Sequence, residues 1–234
     1  MIAGFTKGLT GLGLPMVSVP VLASFVGVEQ AVMIIIMPVL VTNIWLMINL
    51  RKHLNEVPEL GRIMIFGVPG ASVGAFFLYF ASEKVLATFL AIWILLYLYM
   101  KALNSDLVLS RTSRRKIAPY IGFLSGILQS GTGISAPVVA AYIDSIDLSP
   151  KAYVFTVASI FTVLSGTHFI ILLLLKAYSM TVFFEGIAAI FPVIIFVALG
   201  SRVRDFISPE FFSQIIRLLL VLMAIRLIYN SWFI

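Results

Sequence analysis

Cysteine is absent from the 234 residues, which excludes disulfides, thiolate metal sites and cysteine nucleophiles. Charge is scarce as well, because Asp, Glu, Lys and Arg together make up 11% of the chain. Soluble domains usually carry about a quarter charged residues, so a water-facing surface is excluded for most of this chain. Asp144 and Asp147 lie too far in sequence from other carboxylates or histidines to form a metal site, and no metal or other cofactor is expected. A basic region and a small-residue cleavage site are also missing ahead of the first apolar run, so that run is read as part of the fold and not as a signal peptide.

What the chain has in abundance is apolar length. It is 61% hydrophobic, with a mean hydropathy of +1.11. Eight apolar segments can be marked: Ile2 to Val26, Val28 to Leu50, Gly61 to Ala81, Val85 to Met100, Ile117 to Ile143, Ala152 to Leu175, Met180 to Leu199 and Phe211 to Phe233. Most approach the roughly 20 residues that a spanning helix needs. The expected fold is therefore an all-α polytopic membrane protein whose main partner is the lipid bilayer. A net charge of +6 is no sign of nucleic acid here, since most basic residues fall in short loops beside segment ends, where they set orientation.

One stretch departs from greasy helix. Gly122 to Pro137 reads GFLSGILQSGTGISAP and places Ser125, Gln129, Ser130, Thr132 and Ser135 among Gly126, Gly131 and Gly133. Glycine frees the backbone and proline removes a donor, so the helix is predicted to break at membrane depth, where open backbone survives only inside protein or beside water. A partner stretch opens the chain. In GFTKGLTGLGLPMVSVP, Gly4, Phe5, Gly8 and Gly13 match Gly122, Phe123, Gly126 and Gly131, and Pro20 matches Pro137 after a one-residue slip. Gly74 with Ser82 and Gly200 with Ser208 keep a second common offset.

The chain thus reads as a duplication, with about eight membrane segments in two four-segment repeats at 1–103 and 117–234, joined by a connecting loop at 104–116. Two topologies fit the loops. If every segment spans, the basic residues show a fair bias to one side. If the first and fifth segments are re-entrant and turn back at their glycine breaks, Lys84 and Lys176 alone share one side and every other loop cation joins the opposite one. The second arrangement is preferred because its bias is stronger; it makes the repeats inverted and the loop 104–116 cytoplasmic.

With Gly8 to Pro20 and Gly126 to Pro137 each a glycine-rich run leading to a proline near the start of a half, the chain resembles the TauE/SafE sulfite exporter family of bacterial membrane transporters. The resemblance covers nearly the whole chain. It implies movement of sulfite, sulfoacetate, thiosulfate or other small organosulfur or carboxylate anions across the bacterial inner (cell) membrane. Family members commonly carry consecutive glycines where this chain reads Gly11, Leu12, Gly13, Leu14 in one half and Gly131, Thr132, Gly133 in the other.

Such a cargo needs donors without a surplus of buried charge. Backbone amides at the start of a half-helix supply them, and neutral hydroxyls and amides complete the hydrogen bonding. The expected substrate-binding residues are Gly8, Gly11, Gly13, Gly126, Gln129, Ser130, Gly131, Thr132, Gly133 and Ser135 from the two motifs, joined by Thr42, Asn43, Ser159 and Thr162 from the second and sixth segments. Lys7, alone as a charge in the first motif, and His168, deep in the sixth segment, are candidates for countering the substrate's charge or for coupling to a proton or another ion. A homo-oligomer is a further expectation.

Bland readings compete at each position. The spacings Gly4 to Gly8, Gly70 to Gly74 and Gly122 to Gly126 also suit close helix packing, which is the preferred reading for Gly70 and Gly74. Lys7 is near enough to the start to snorkel, and a buried histidine often bonds to a neighbouring helix. Gly70 to Gly74 reads GASVG, a match to the GxSxG of hydrolases, but inside an apolar helix and not at a strand-to-helix turn, so the chain is not read as an enzyme. The alternatives kept beside the exporter are a transporter of another repeat family and a membrane assembly protein without cargo.

Overall fold

The structure, a computed structural model, describes residues 3–5, 7, 14–57, 59–102, 111–146, 148–202 and 209–233. All regular structure among them is helical: α1 (Leu14–Val26), α2 (Val28–Asn49), a 3₁₀ helix (Arg51–Glu56), α3 (Leu60–Phe80), α4 (Glu83–Ala102), α5 (Arg111–Thr132), α6 (Ala136–Asp144), α7 (Pro150–Leu174), α8 (Met180–Arg202) and α9 (Pro209–Phe233). Among the described residues five helices, α2, α3, α4, α7 and α8, are long and apolar enough to cross a membrane. Their outer faces stay apolar, with Trp45, Phe80, Leu174, Phe184 and Phe191 all exposed. In water that much open apolar surface would drive association, whereas in lipid it is the required solvent face.

Those five helices coincide with five of the apolar segments. Of the other three, the first lies partly outside the described residues, the fifth is broken into α5 and α6, and the eighth, α9, carries Arg217 and Arg226. The connecting loop is shorter than 104–116, since α5 is already helical at Arg111. Arg and Lys are good helix formers, so RTSRRK extends the helix that follows it although it is polar.

The chain divides into two compact units, residues 1–38, 80–105 and 180–234 in one and 39–79 and 106–179 in the other. Each draws on both sequence halves, and the division falls within α2, after Pro38.

In the first unit α9 packs against α4 and α1. Gly27, at φ +87°, makes the turn between α1 and α2, a conformation glycine adopts without a Cβ clash. The freed N-terminus of α2 is capped from a distant segment: the Glu83 carboxylate accepts the Val28 N–H at 2.7 Å. Two residues along, Gln30 Nε2 donates to Glu185 Oε2 at 3.1 Å. At α9, Lys84 Nζ lies 3.6 Å from the centre of the Trp232 ring, whose Nε1–H donates to Thr88 Oγ1 at 3.0 Å. Arg226 stacks over Phe25 at 4.5 Å, so its charge is shared with a ring on α1. Lys7 is buried in this unit.

The second unit is built on α3 and α5, which touch backbone to backbone. A Cβ on Gly70 would fall on the Phe123 carbonyl, one on Gly74 on the Ile127 carbonyl, and one on Gly126 on the backbone of Gly67 and Ala71. Gly70 meets Phe123 and Gly74 meets Ile127, four residues on in both, so the two helices run parallel. The GxxxG reading of Gly70 and Gly74 as packing glycines therefore holds, and Gly122 joins them against Ile63.

Candidate functional site

The broken segment defines the site. Helix α5 ends where Gly133 takes φ +74° and its N–H returns to the Gln129 carbonyl at 3.0 Å, a left-handed cap that only glycine adopts cheaply. Thr132 secures the same turn, its hydroxyl donating to the Leu128 carbonyl at 2.7 Å while accepting the Ile134 N–H at 3.1 Å. Pro137 then opens α6 in its first turn. The short helix does not continue α5. Tyr142 Oη donates to the Arg114 carbonyl at 3.3 Å, and Arg114 Nη1 donates to the Ser145 carbonyl at 2.9 Å, so the end of α6 lies beside the start of α5 and the segment doubles back.

Inside the bend, residues 131–135 are all buried. Gln129 organises the polar groups there. Its Oε1 accepts the Ser135 hydroxyl at 2.7 Å, and its Nε2 donates to Ser165 Oγ on α7 at 3.3 Å. One amide therefore spans the break and ties it to the neighbouring helix. Ser165 belongs to a ladder on α7, Ser159, Thr162, Ser165 and His168, each three residues from the next and so a neighbour on the helix surface.

Most of this ladder lacks internal partners. Ser159 Oγ, Thr162 Oγ1 and His168 Nε2 are buried without a hydrogen-bond partner among the described residues, as are Ser125 Oγ and Ser130 Oγ on α5. Buried polar atoms are nearly always bonded, so these five set the unit apart; Ser130 among them stands in the α3 seam, its Cβ 2.9 Å from one built on Gly74.

A third helix reaches the same level. Ser149, before α7, donates to Glu56 Oε2 at 2.9 Å, while a Cβ built on Gly166 would lie 3.9 Å from Leu40 Cδ2. The later part of α2 thus runs antiparallel to α7. Three residues beyond Leu40 and four before Gly166 bring Asn43 to the level of Thr162. Thr42 and Asn43 are both buried, and Thr42 Oγ1 donates to the Val39 carbonyl at 3.2 Å.

At the far end of this unit the charges gather. Arg62 Nη1 donates to the Arg115 carbonyl at 3.4 Å, Arg114 holds Ser145, and Ser149 holds Glu56. These contacts bring the 3₁₀ helix and the starts of α3, α5 and α7 together, and with them Arg51, Lys52, Arg62, Arg114, Arg115, Lys116 and Lys151. Glu56 is bonded by His53 Nδ1 at 2.6 Å, and the donors on His53 and then Ser149 hold its carboxyl below the usual range.

A family model described as Sulfite exporter TauE/SafE matches residues 1–227. The chain belongs to the TauE/SafE family. No curated protein and no solved structure matched it. A chain of this family with several apolar helices is a membrane transporter. In this TauE/SafE chain GASVG is no nucleophile elbow: Ser72 sits within α3 and donates to the Val68 carbonyl one turn back at 3.0 Å.

The predicted site residues fall in different places. Gln129, Ser130, Gly131, Thr132, Gly133 and Ser135 lie at or beside the bend, and Thr42, Asn43, Ser159, Thr162 and His168 fall in the same unit. Gly126 stands apart from the polar groups, because its backbone is pressed into the α3 seam, and Ser130, one turn on, faces the same seam beside Gly74. Gly8, Gly11 and Gly13 lie outside the described residues, and Lys7 falls in the other unit. At the start of the half-helix the amides of Val138 and Val139 both donate to the Ser135 carbonyl, at 3.1 and 3.2 Å, and Pro137 has no N–H, which leaves the Ser135 and Ala136 amides as the backbone donors there. Sequence reading missed Ser165 and Ser125; the three-residue spacing from Thr162 to Ser165 to His168 was the available signal.

Proposed function

We propose that this TauE/SafE protein is a secondary transporter that exports a small anion, such as sulfite, an organosulfonate or a related sulfur oxyanion, across the bacterial inner membrane. The observation that carries this reading is the Gln129 network within the doubled-back segment. It gathers neutral hydroxyl and amide groups in a buried place, and several of those groups have no internal partner. Neutral donors suit an anion that must also leave, because a buried cation would hold it more tightly than transport tolerates.

The anion sits against Gln129, Ser135, Ser159, Thr162 and Ser165, with Asn43 at the same level. Access alternates between the two membrane faces around the broken segment, in the manner of repeat transporters with interrupted helices. The basic end of the second unit faces the cytoplasm, which also places the connecting loop there. Efflux of labelled sulfite from liposomes containing the purified protein tests the reading. Saturable efflux that an excess of methanesulfonate competes away is expected. Efflux no faster than from protein-free liposomes, for sulfite and for sulfonates alike, rules it out.

A further inference from the structure

His168 is 1% exposed and lies at mid-helix in α7, one turn from the Ser165 that Gln129 grips, yet its Nε2 has no partner among the described residues. Every other polar group of the cluster is a hydroxyl or an amide. Imidazole differs from them in kind: with hydrogen on Nδ1, Nε2 offers a strong lone pair and no proton, so it accepts where the hydroxyls are best placed to donate.

Among the described residues no charged group is bonded to Nε2. On the elements packed against α7 or beside them the ionisable groups are Glu29 at the start of α2, Arg51, Lys52, His53 and Glu56 on the 3₁₀ helix, Glu59, Arg62 and Tyr79 at the ends of α3, Arg111, Arg114, Arg115, Lys116 and Tyr120 early in α5, and Tyr142 and Asp144 late in α6. On and beside α7 itself are Lys151 and Tyr153 near its start and Lys176 and Tyr178 beyond its end. Nε2 bonds to none of them. Lys151 is 17 residues from His168, about 25 Å along a helix.

The cost of placing an ion in such surroundings rises with the square of its charge, so a doubly charged oxyanion is far more costly than a singly charged one. A singly charged, protonated oxyanion presents oxygens to the donors and one O–H that needs an acceptor. We propose that His168 Nε2 accepts that O–H and makes the site selective for the protonated monoanion, hydrogensulfite in the case of sulfite, over the dianion. The inference rests on the anion-transport reading above and adds the protonation state of the cargo and the residue that reads it.

The test is flux through the full-length protein in liposomes, measured for sulfite and for methanesulfonate at a series of pH values spanning the loss of the hydrogensulfite proton. Methanesulfonate has no such proton and corrects for pH effects on the protein. Sulfite flux, taken relative to methanesulfonate at fixed total concentration, should fall about tenfold for each pH unit above that ionisation. In His168→Leu the sulfite-to-methanesulfonate ratio in acid should drop about tenfold, and His168→Gln, which restores an acceptor oxygen, should recover part of it. Sulfite flux that follows the dianion, or a ratio unchanged in His168→Leu, overturns this assignment while leaving transport intact. Absence of saturable flux for both anions overturns the transport reading itself. If His168→Leu does not fold, the wild-type pH profile and the Gln variant still decide.

Discussion

Gln129 on α5 and Ser165 on α7 are joined by a single amide N–H at 3.3 Å, while the carbonyl of the same amide holds Ser135 across the helix break at 2.7 Å. Replacing Gln129 by leucine leaves two buried hydroxyls without that partner, which costs about 1–3 kcal/mol. Thermal unfolding of Gln129→Leu in detergent should shift down accordingly, and its sulfite efflux should fall at least tenfold. Gln129→Glu separates the two roles. A carboxylate still accepts from both serines, so the fold is kept, but its charge repels the cargo and efflux is lost.

Gly133 carries the bend at φ +74°. An L-residue in that region costs about 1–2 kcal/mol, so Gly133→Ala should lower stability by that amount. Gly133→Leu should reach the membrane and abolish transport. Efflux equal to wild type in the leucine variant contradicts a role for this bend in binding.

Two glycines on α3, one in the seam and one outside it, make a controlled comparison. A Cβ on Gly70 lands on the Phe123 backbone, whereas one on Gly61 meets nothing within 4 Å. Gly70→Ala should destabilise by about 1–3 kcal/mol, since backbone cannot move aside as a side chain does. Gly61→Ala should be neutral or gain up to about 1 kcal/mol from helix propensity. Parallel unfolding curves of the two variants check the pair.

The absence of cysteine makes topology directly measurable. Single cysteines in place of Lys52 and Ser149 should react with a membrane-impermeant maleimide from the same face, the cytoplasmic one, because the Glu56 to Ser149 contact holds those two loops together. Labelling from opposite faces is incompatible with a doubled-back fifth segment.

The His53, Glu56 and Ser149 contact gives one pH effect with a defined sign. Its donors, His53 first, hold the Glu56 carboxyl below the ordinary range, so the native state binds that proton less readily than the unfolded chain does. The contact therefore adds stability at and above the ordinary carboxylate range and loses it as the pH falls through the lowered value. Wild type should unfold at a higher temperature than Glu56→Gln at neutral pH, and the gap should close in acid.

Much of the second unit was legible because its cause is local. Glycine at four-residue spacing in α3 predicts close packing, and the Gly131 to Gly133 pair before Pro137 predicts a break. That the segment turns back after the break was preferred from the distribution of loop cations, but the contacts that fix it, between Arg114 and Tyr142, lie 28 residues apart in sequence and were not legible. The same holds for the level of Asn43 beside Thr162, which depends on how two helices are staggered. The number of half-helix amides was not legible either, since Pro137 removes one donor and the Ser135 carbonyl takes the next two, which leaves those of Ser135 and Ala136.

The glycine seam between α3 and α5 also limits what can change during transport. Helices that meet through side chains can glide as those side chains exchange rotamers, but Gly70 on Phe123 and Gly126 on Ala71 leave no such bearing surface. These two helices are therefore expected to travel as one beam in the proposed transport cycle, with the bend at Gly133 to Ser135 as the place where this segment can give.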